Sequence, residues 1–254
     1  MSSDLTLATY EAFAPIYNEF NSGNDYEMWV GRVLLPELEK HGLRKGRVLD
    51  VACGTGRAFA PLLRRGWRVR GCDLSPAMLD VARGEAGDQV ELSVADMREL
   101  PVFGEFELVM VLNDSIDYLL TDGDLAGALR SLRSNLAKDG LLLFDCNSRL
   151  RYETSLTSEV RDFEYGGRCW TWRGLGPDPD SPAIFEALVE GSDIETTTHR
   201  QRFRTPVEIR DAMSAAGLRC VATLGMEEVD GEVVLAETLD EGRHYKIVYI
   251  AKPT

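Results

Sequence analysis

The feature that most constrains the fold is an alternation, between residues 47 and 146, of short apolar runs with helical stretches. The runs carry almost no polar residues, which is typical of strands covered on both faces of a sheet. Strands that alternate with helices form parallel sheets through right-handed crossovers. The sequence therefore predicts a doubly wound α/β domain with strands at 47–51, 69–72, 90–95, 106–112 and 141–146.

Three segments flank this ligand-binding core of residues 47–146. Residues 1–46 carry aromatic and apolar side chains at helical spacing, and we expect them to form a helical lid. Residues 147–198 carry aromatic and β-branched residues between Gly-Gly and Pro-Asp-Pro-Asp turns, which predicts an antiparallel β insertion. Residues 199–254 contain two more strands and complete a mostly parallel sheet of seven strands.

Composition excludes several classes of protein. The chain has 42 acidic and 28 basic residues, a net charge of -14 that repels phosphate backbones, so no nucleic-acid partner is expected. No apolar run is long enough to span a membrane and no secretory signal is recognisable, which predicts a cytoplasmic protein. Five scattered cysteines and three histidines predict neither a disulfide framework nor a metal site. The acid-rich segment 227–241 is interpreted as a solvated loop.

The residues most informative about function follow the first strands. Asp50, Gly54 and Gly56 form an Asp-x-x-x-Gly-x-Gly turn, in which the glycines let a ligand approach the backbone at a helix N-terminus. Asp50 is equally explained as a carboxylate that orders this turn. Asp73 ends the second strand, where a carboxylate can accept hydrogen bonds from both hydroxyls of a ribose. Asp96 follows the third strand and offers an acceptor for the exocyclic amine of adenine.

The same turn argues against two common nucleotide sites. Phe59 occupies the position of the third glycine of the dinucleotide fingerprint, and the chain has no Gly-Lys-Ser/Thr of a phosphate-binding loop. The turn therefore suits a ribose and a small zwitterion better than a pyrophosphate.

Four motifs together resemble those of class I S-adenosylmethionine-dependent methyltransferases. They are Asp50-Val-Ala-Cys-Gly-Thr-Gly56, Asp73 with Ser75-Pro-Ala-Met-Leu79, Ala95-Asp-Met97 and Asn113-Asp-Ser115. The resemblance covers most of the chain and is greatest to bacterial small-molecule N-methyltransferases of antibiotic pathways, which act on deoxyaminosugars or lincosamides. One departure is an alanine at position 52, where many members carry the first glycine of the motif. The resemblance implies a Rossmann-like methyltransferase fold that binds S-adenosylmethionine and methylates a small-molecule amine.

The resemblance also implies a cofactor site. Tyr17 would cover the cofactor, Arg32 would pair with its carboxylate, and Asp73 would hold its ribose. Leu74 and Met78 would pack on the adenine. The full set of cofactor-binding residues implied in this way is Tyr17, Arg32, Ala52, Cys53, Gly54, Asp73, Leu74, Met78, Asp96, Met97, Leu112 and Asn113.

Methyl transfer to an amine needs orientation and exclusion of water more than a strong base, because the cofactor already carries the activation. The side chains expected around the acceptor are Tyr10, Tyr17, Asn113, Asp117 and Tyr118, with His199 as a reserve general base. Two alternatives stay open: an O- or C-methyltransferase, for which His199 is the only evident base, and a nucleotide-binding protein without catalytic activity. The aromatic insertion also leaves association into a homo-oligomer open.

Overall fold

The computed structural model describes residues 2–254 and contains two β-sheets, the larger of which is covered by helices. The strands are β1 (Arg47–Val51), β2 (Arg68–Asp73), β3 (Glu91–Val94), β4 (Phe106–Val111), β5 (Leu136–Asn147), β6 (Val160–Tyr165), β7 (Arg168–Asp178), β8 (Ser181–Gly191), β9 (Thr197–Arg202), β10 (Leu218–Val229), β11 (Glu232–Ala236) and β12 (Lys246–Pro253). The α-helices are α1 (Ser2–Phe13), α2 (Tyr17–Phe20), α3 (Leu35–Lys40), α4 (Phe59–Arg64), α5 (Pro76–Ala86), α6 (Asp122–Ser134), α7 (Arg149–Thr154) and α8 (Pro206–Ala215).

The larger sheet has the strand order β11-β10-β12-β5-β4-β1-β2-β3. Strands β1 to β5 run parallel, and β12, β10 and β11 extend the sheet in antiparallel pairing. One apolar cluster joins the sheet to α6 and α8, and a second joins it to α3, α4 and α5. The strand order reverses between β1 and β4, which places a ligand crevice at the carboxyl ends of these strands. The predicted doubly wound α/β class, with helices before it and an antiparallel insertion, is confirmed.

The sheet has eight strands rather than seven, because the segment 227–241 is not the loop that the sequence predicted. Strand β10 continues to Val229, and Asp230 and Gly231 then turn the chain with φ of +54° and +81°. Two residues at positive φ match the hairpin turn that suits twisted strands. In β11, Val233 and Leu235 pack against the core, and exposed residues alternate with them. The Asp-Gly pair beside this alternation was the signal for a hairpin.

The smaller sheet has the order β6-β7-β8-β9 and is antiparallel throughout. Its last strand, β9, crosses the predicted boundary between residues 198 and 199, so that the insertion extends to Arg202. The inward positions of β9 are the buried Thr197, His199 and Gln201. Because these side chains are polar, the strand lacks the apolar pattern by which buried strands are recognised in a sequence. Helix α7 was also missed; Ser148 caps it by accepting a hydrogen bond from the Arg151 amide.

The N-terminal helices contact the smaller sheet and α5. The predicted lid begins at Met1, which is outside the described residues, and α1, α2 and the 3-10 turn between them bury Phe13, Ile16 and Phe20 in a cluster with Met78 and Trp170. Before α3, the expected helix widens into a π-helix over Glu27–Leu34. Pro36 explains the widening, because proline lacks an N–H and its ring collides with the carbonyl four residues earlier.

Candidate active site

A cleft of about 840 Å³, measured to its open mouth, lies at the carboxyl ends of β1, β2 and β4, beneath α1 and α2. Behind Tyr17 a smaller compartment of about 330 Å³ opens from it. Four residues line both spaces, namely Tyr17, Ala52, Asn113 and Ser115.

The glycine turn forms the floor between the two compartments. Ala52, Gly54 and Gly56 have backbone φ angles of +56°, +55° and +78°, a region that residues other than glycine rarely adopt. A Cβ on Gly56 would lie 2.5 Å from the Phe59 ring, so this position has no room for a side chain. The alanine at position 52 therefore holds a strained conformation, as residues at functional sites often do.

Asp73 lies at the tip of β2, and both of its carboxylate oxygens face amides of the site. Oδ2 accepts a hydrogen bond from the Gly54 amide at 2.8 Å, and Oδ1 accepts one from the Ser75 amide at 2.9 Å. Burial raises the pKa of Asp73 despite these backbone hydrogen bonds, which favour the carboxylate. Asp73 lines the cleft, and a carboxylate with about four lone-pair sites can accept more hydrogen bonds than these, such as those from a ribose diol.

Asp96 and Met97 line the same wall of the cleft, beyond β3. The Asp96 carboxylate accepts hydrogen bonds from the Arg98 amide at 2.9 Å and from Arg98 Nε at 2.9 and 3.0 Å. Burial opposes ionisation, but the hydrogen bonds from Arg98 outweigh it and lower the pKa of Asp96. Arg98 also reaches Asp124, which lines the mouth of the cleft.

The smaller compartment holds a buried carboxylate and a cation. Asp50 is 2% exposed, and its Oδ2 has no hydrogen-bond partner among the described residues. Burial and the charge of Asp73 raise the pKa of Asp50 well above its ordinary value. Arg57 lies over the ring of Tyr26, 4.8 Å from its centroid, and donates to the Asn21 carbonyl at 2.5 Å. A zwitterion with an ammonium and a carboxylate group fits this pair of charges.

At the other end of the cleft, aromatic side chains surround an imidazole. The Tyr118 hydroxyl lies 2.8 Å from His199 Nδ1, and His199 Nε2 lies 3.1 Å from Thr197 Oγ1. The rings of Tyr10 and Tyr118 meet edge to face, with centroids 5.4 Å apart. Burial lowers the pKa of His199 to about 4, so its imidazole is neutral at neutral pH.

Most of the residues expected at the site line one of the two compartments. Those at the larger cleft are Tyr10, Tyr17, Ala52, Gly54, Asp73, Leu74, Asp96, Met97, Asn113 and Tyr118. Cys53 and Leu112 line the smaller compartment.

Four expected residues do not line either compartment. Arg32 is exposed on the π-helix, on a face that sequence periodicity alone did not resolve. Met78 is 1% exposed and packs against the N-terminal helices, because it lies on the face of α5 turned towards them. Asp117 is buried and accepts a hydrogen bond from the Asn147 amide at 2.8 Å. His199 is 2% exposed and lies behind the cleft residues Tyr10 and Tyr118.

Arg57 and Tyr26 are among the residues of the smaller compartment that sequence reasoning missed. Arg57 directly follows the glycine turn, and that position was a sufficient signal that its side chain starts beside the compartment. Tyr26, which accepts a hydrogen bond from the Asn113 side chain, lies more than eighty residues from its partner and carries no such local signal.

Comparisons with known proteins agree with this geometry. Residues 48–140 match a family described as a methyltransferase domain. The Bacillus subtilis (strain 168) protein YqeM, named as a methyltransferase, is 31% identical over 80% of this chain and 83% of its own length. A Streptomyces fradiae protein named dTDP-3-amino-3,6-dideoxy-alpha-D-glucopyranose N,N-dimethyltransferase is 32% identical over 71% of this chain and 73% of its own. Other relatives are named as O-methyltransferases.

The fold is also known among solved structures. An S-adenosylmethionine-dependent methyltransferase from Clostridium acetobutylicum superposes with a TM-score of 0.77 over 96% of this chain and 98% of its own, at 20% identity.

No α-helix among residues 2–254 is long and apolar enough to cross a membrane.

Proposed function

We propose that this chain, which belongs to the S-adenosylmethionine-dependent methyltransferases, methylates the amine nitrogen of a small natural-product precursor such as an aminosugar or a lincosamide. The relative from Streptomyces fradiae, whose name gives an aminosugar as its substrate, supports the choice of acceptor.

The residues of the cleft fit the cofactor from end to end. Asp73 holds the ribose hydroxyls, and Asp96 and Met97 hold the adenine edge. In the smaller compartment, the cofactor ammonium gives Asp50 Oδ2 the partner that the protein itself does not provide. Arg57 faces the cofactor carboxylate in the role that was expected of Arg32. S-adenosylmethionine, when bound, supplies a methyl group already activated as a sulfonium.

The observation that carries the choice of an amine is the nature of the groups around the acceptor. A buried imidazole with a pKa of about 4 is a weak base, and it lies behind Tyr10 and Tyr118 rather than in the lining of the cleft. Burial also raises the pKa of Tyr10 and Tyr118, which keeps both phenols protonated. An alcohol needs a base to become a nucleophile, whereas an amine reacts through a lone pair that it already has.

The neutral imidazole also orients Tyr118. When the Tyr118 hydroxyl donates its proton to His199 Nδ1, its oxygen is left as an acceptor, and in this proposal it accepts an N–H of the acceptor amine. The amine is thereby held with its own lone pair free. Proximity of this kind supplies a large part of the rate enhancement in bimolecular displacement.

The N-terminal helices exclude water from this arrangement. Glu11 Oε1 of α1 accepts hydrogen bonds from the Ser75 hydroxyl at 2.5 Å and the Ala77 amide at 3.0 Å. Thr55 of the glycine turn donates to Asn18 of α2 at 2.6 Å. These contacts attach the lid to both ends of the cofactor site, and they must open for product to leave.

The test is an assay of methyl incorporation with pairs of acceptors that differ only in carrying an amine or a hydroxyl at the same position. Amino forms of deoxysugars and lincosamide precursors are expected to be methylated, and their hydroxyl counterparts are not. Tyr118→Phe should lower turnover about tenfold or more, since one orienting hydrogen bond is lost. Tyr165→Phe, at an exposed tyrosine of β6, is the matched control. Methylation of the hydroxyl forms alone would replace the proposal with O-methylation.

A further inference from the structure

The turn that follows β4 places a cleft residue in an unfavourable conformation. Asn113 and Asp114 have φ of +57° and +50°, and neither is a glycine. Such pairs persist only where surrounding contacts hold them. Asn113 lines both compartments, so whatever holds the turn also positions a side chain of the site.

A buried carboxylate holds the backbone of this turn. Asp145 of β5 is fully buried, and it accepts hydrogen bonds from the Asn113 amide at 2.7 Å and from the Asp114 amide at 3.0 Å. An ionised carboxylate at this depth requires a cation close by.

Lys246, the first residue of β12, supplies that cation. Its Nζ lies 2.5 Å from Asp145 Oδ2 and 2.6 Å from Asp114 Oδ1, so one ammonium joins the strand to the turn. Gln201 of β9 donates to the other Asp114 oxygen at 2.5 Å. Although burial disfavours its charge, the two carboxylates raise the pKa of Lys246 above its ordinary value.

We propose that Lys246 is a positioning residue for methyl transfer, because its ammonium binds Asp114 and Asp145 together and so keeps Asn113 in the left-handed conformation that faces the cleft. Lys246 does not line either compartment, so it acts through the turn. The inference rests on the methyltransferase family and not on the identity of the acceptor.

The first test compares Lys246→Met with Lys252→Met, a lysine of the same strand whose Nζ contacts the His41 carbonyl at 3.2 Å. Hydrogen exchange of the amides of residues 112–116 should accelerate about tenfold or more in Lys246→Met, while exchange in β1 stays at the wild-type rate. Lys252→Met should leave both unchanged. Wild-type exchange at 112–116 in Lys246→Met would overturn the proposal. This readout needs no acceptor, so it stands even if no amine is methylated.

The second test separates positioning from folding. Lys246→Met should lower kcat about tenfold or more while the Kd of S-adenosylhomocysteine changes much less. Adding Asp114→Gly removes one of the two carboxylates that lost the ammonium and lets this position adopt positive φ freely, so the double variant should regain part of the lost kcat. A double variant as slow as the single one would refute a conformational role. If Lys246→Met does not fold, Lys246→Gln is used in the same comparisons.

Discussion

Replacement of Asp73 by alanine should weaken cofactor binding through the loss of two hydrogen bonds to the ribose. The carboxylate is 9% exposed, so little water is available to take its place. Hydrogen bonds to charged groups contribute about 1.5–3 kcal/mol each, so the loss of two suggests a total of about 3–6 kcal/mol. That loss corresponds to an increase of roughly 150- to 25,000-fold in the Kd of S-adenosylhomocysteine, measured by calorimetric titration.

The substitution also removes two internal contacts, and the assay must separate them from the ligand. Asp73 accepts hydrogen bonds from the Gly54 and Ser75 amides, so Asp73→Ala can disturb the glycine turn as well. A titration with 2′-deoxy and 3′-deoxy analogues of S-adenosylhomocysteine resolves the two effects. The wild-type protein should lose affinity for each analogue, whereas Asp73→Ala should bind analogue and parent equally, within about twofold.

The control is Asp80→Ala, at an exposed acid of α5 that pairs with Arg83. It should bind S-adenosylhomocysteine like the wild-type protein. If Asp73→Ala discriminated against the deoxy analogues as strongly as the wild-type protein does, its carboxylate would not be the ribose partner and the reasoning would be refuted.

Two further predictions concern Arg57 and His199. Arg57→Met should raise the Kd of S-adenosylhomocysteine about tenfold, while Arg32→Met leaves it unchanged; equal effects would contradict the assignment of Arg57 to the carboxylate. His199 has a pKa of about 4 in the folded chain against an ordinary value of 6.5, so the unfolded chain binds one more proton between these values. Its contribution to stability is complete above pH 6.5 and falls as the pH drops towards 4, by about 3 kcal/mol. Denaturant unfolding at several pH values should show this fall in the wild-type protein, and His199→Gln should lack it. If the free energies of unfolding of the two proteins changed with pH in the same way, the buried neutral imidazole would be excluded.

The parts of the fold that could be predicted from sequence are those whose signals are local and apolar. The strands β1 to β5 are recognisable as apolar runs because both faces of each strand are covered. The start of α5 is indicated by Ser75 as its N-cap and Pro76 as its first residue. Asp73 could be located because a carboxylate at a strand tip of such a sheet has few other uses. These inferences needed only short segments of sequence.

The parts that could not be predicted depend on distant partners. Strand β9 buries three polar side chains, which an apolar pattern cannot reveal. Asp117 was expected around the acceptor. It lies in the 3-10 turn Ser115–Tyr118, where its carboxylate accepts a hydrogen bond from the Asn147 amide instead. That Arg57 and not Arg32 lines the smaller compartment depends on the relative position of the N-terminal segment and the glycine turn.

Ser75 links the ribose site to the lid, since its amide donates to Asp73 and its hydroxyl donates to Glu11 of α1. The two equilibria, cofactor binding and docking of α1, are therefore coupled through one residue. By thermodynamic reciprocity, the factor by which bound cofactor favours docking of α1 equals the factor by which docked α1 tightens the cofactor. Undocking of α1 from Ser75 therefore weakens the hold on the spent cofactor by that same factor.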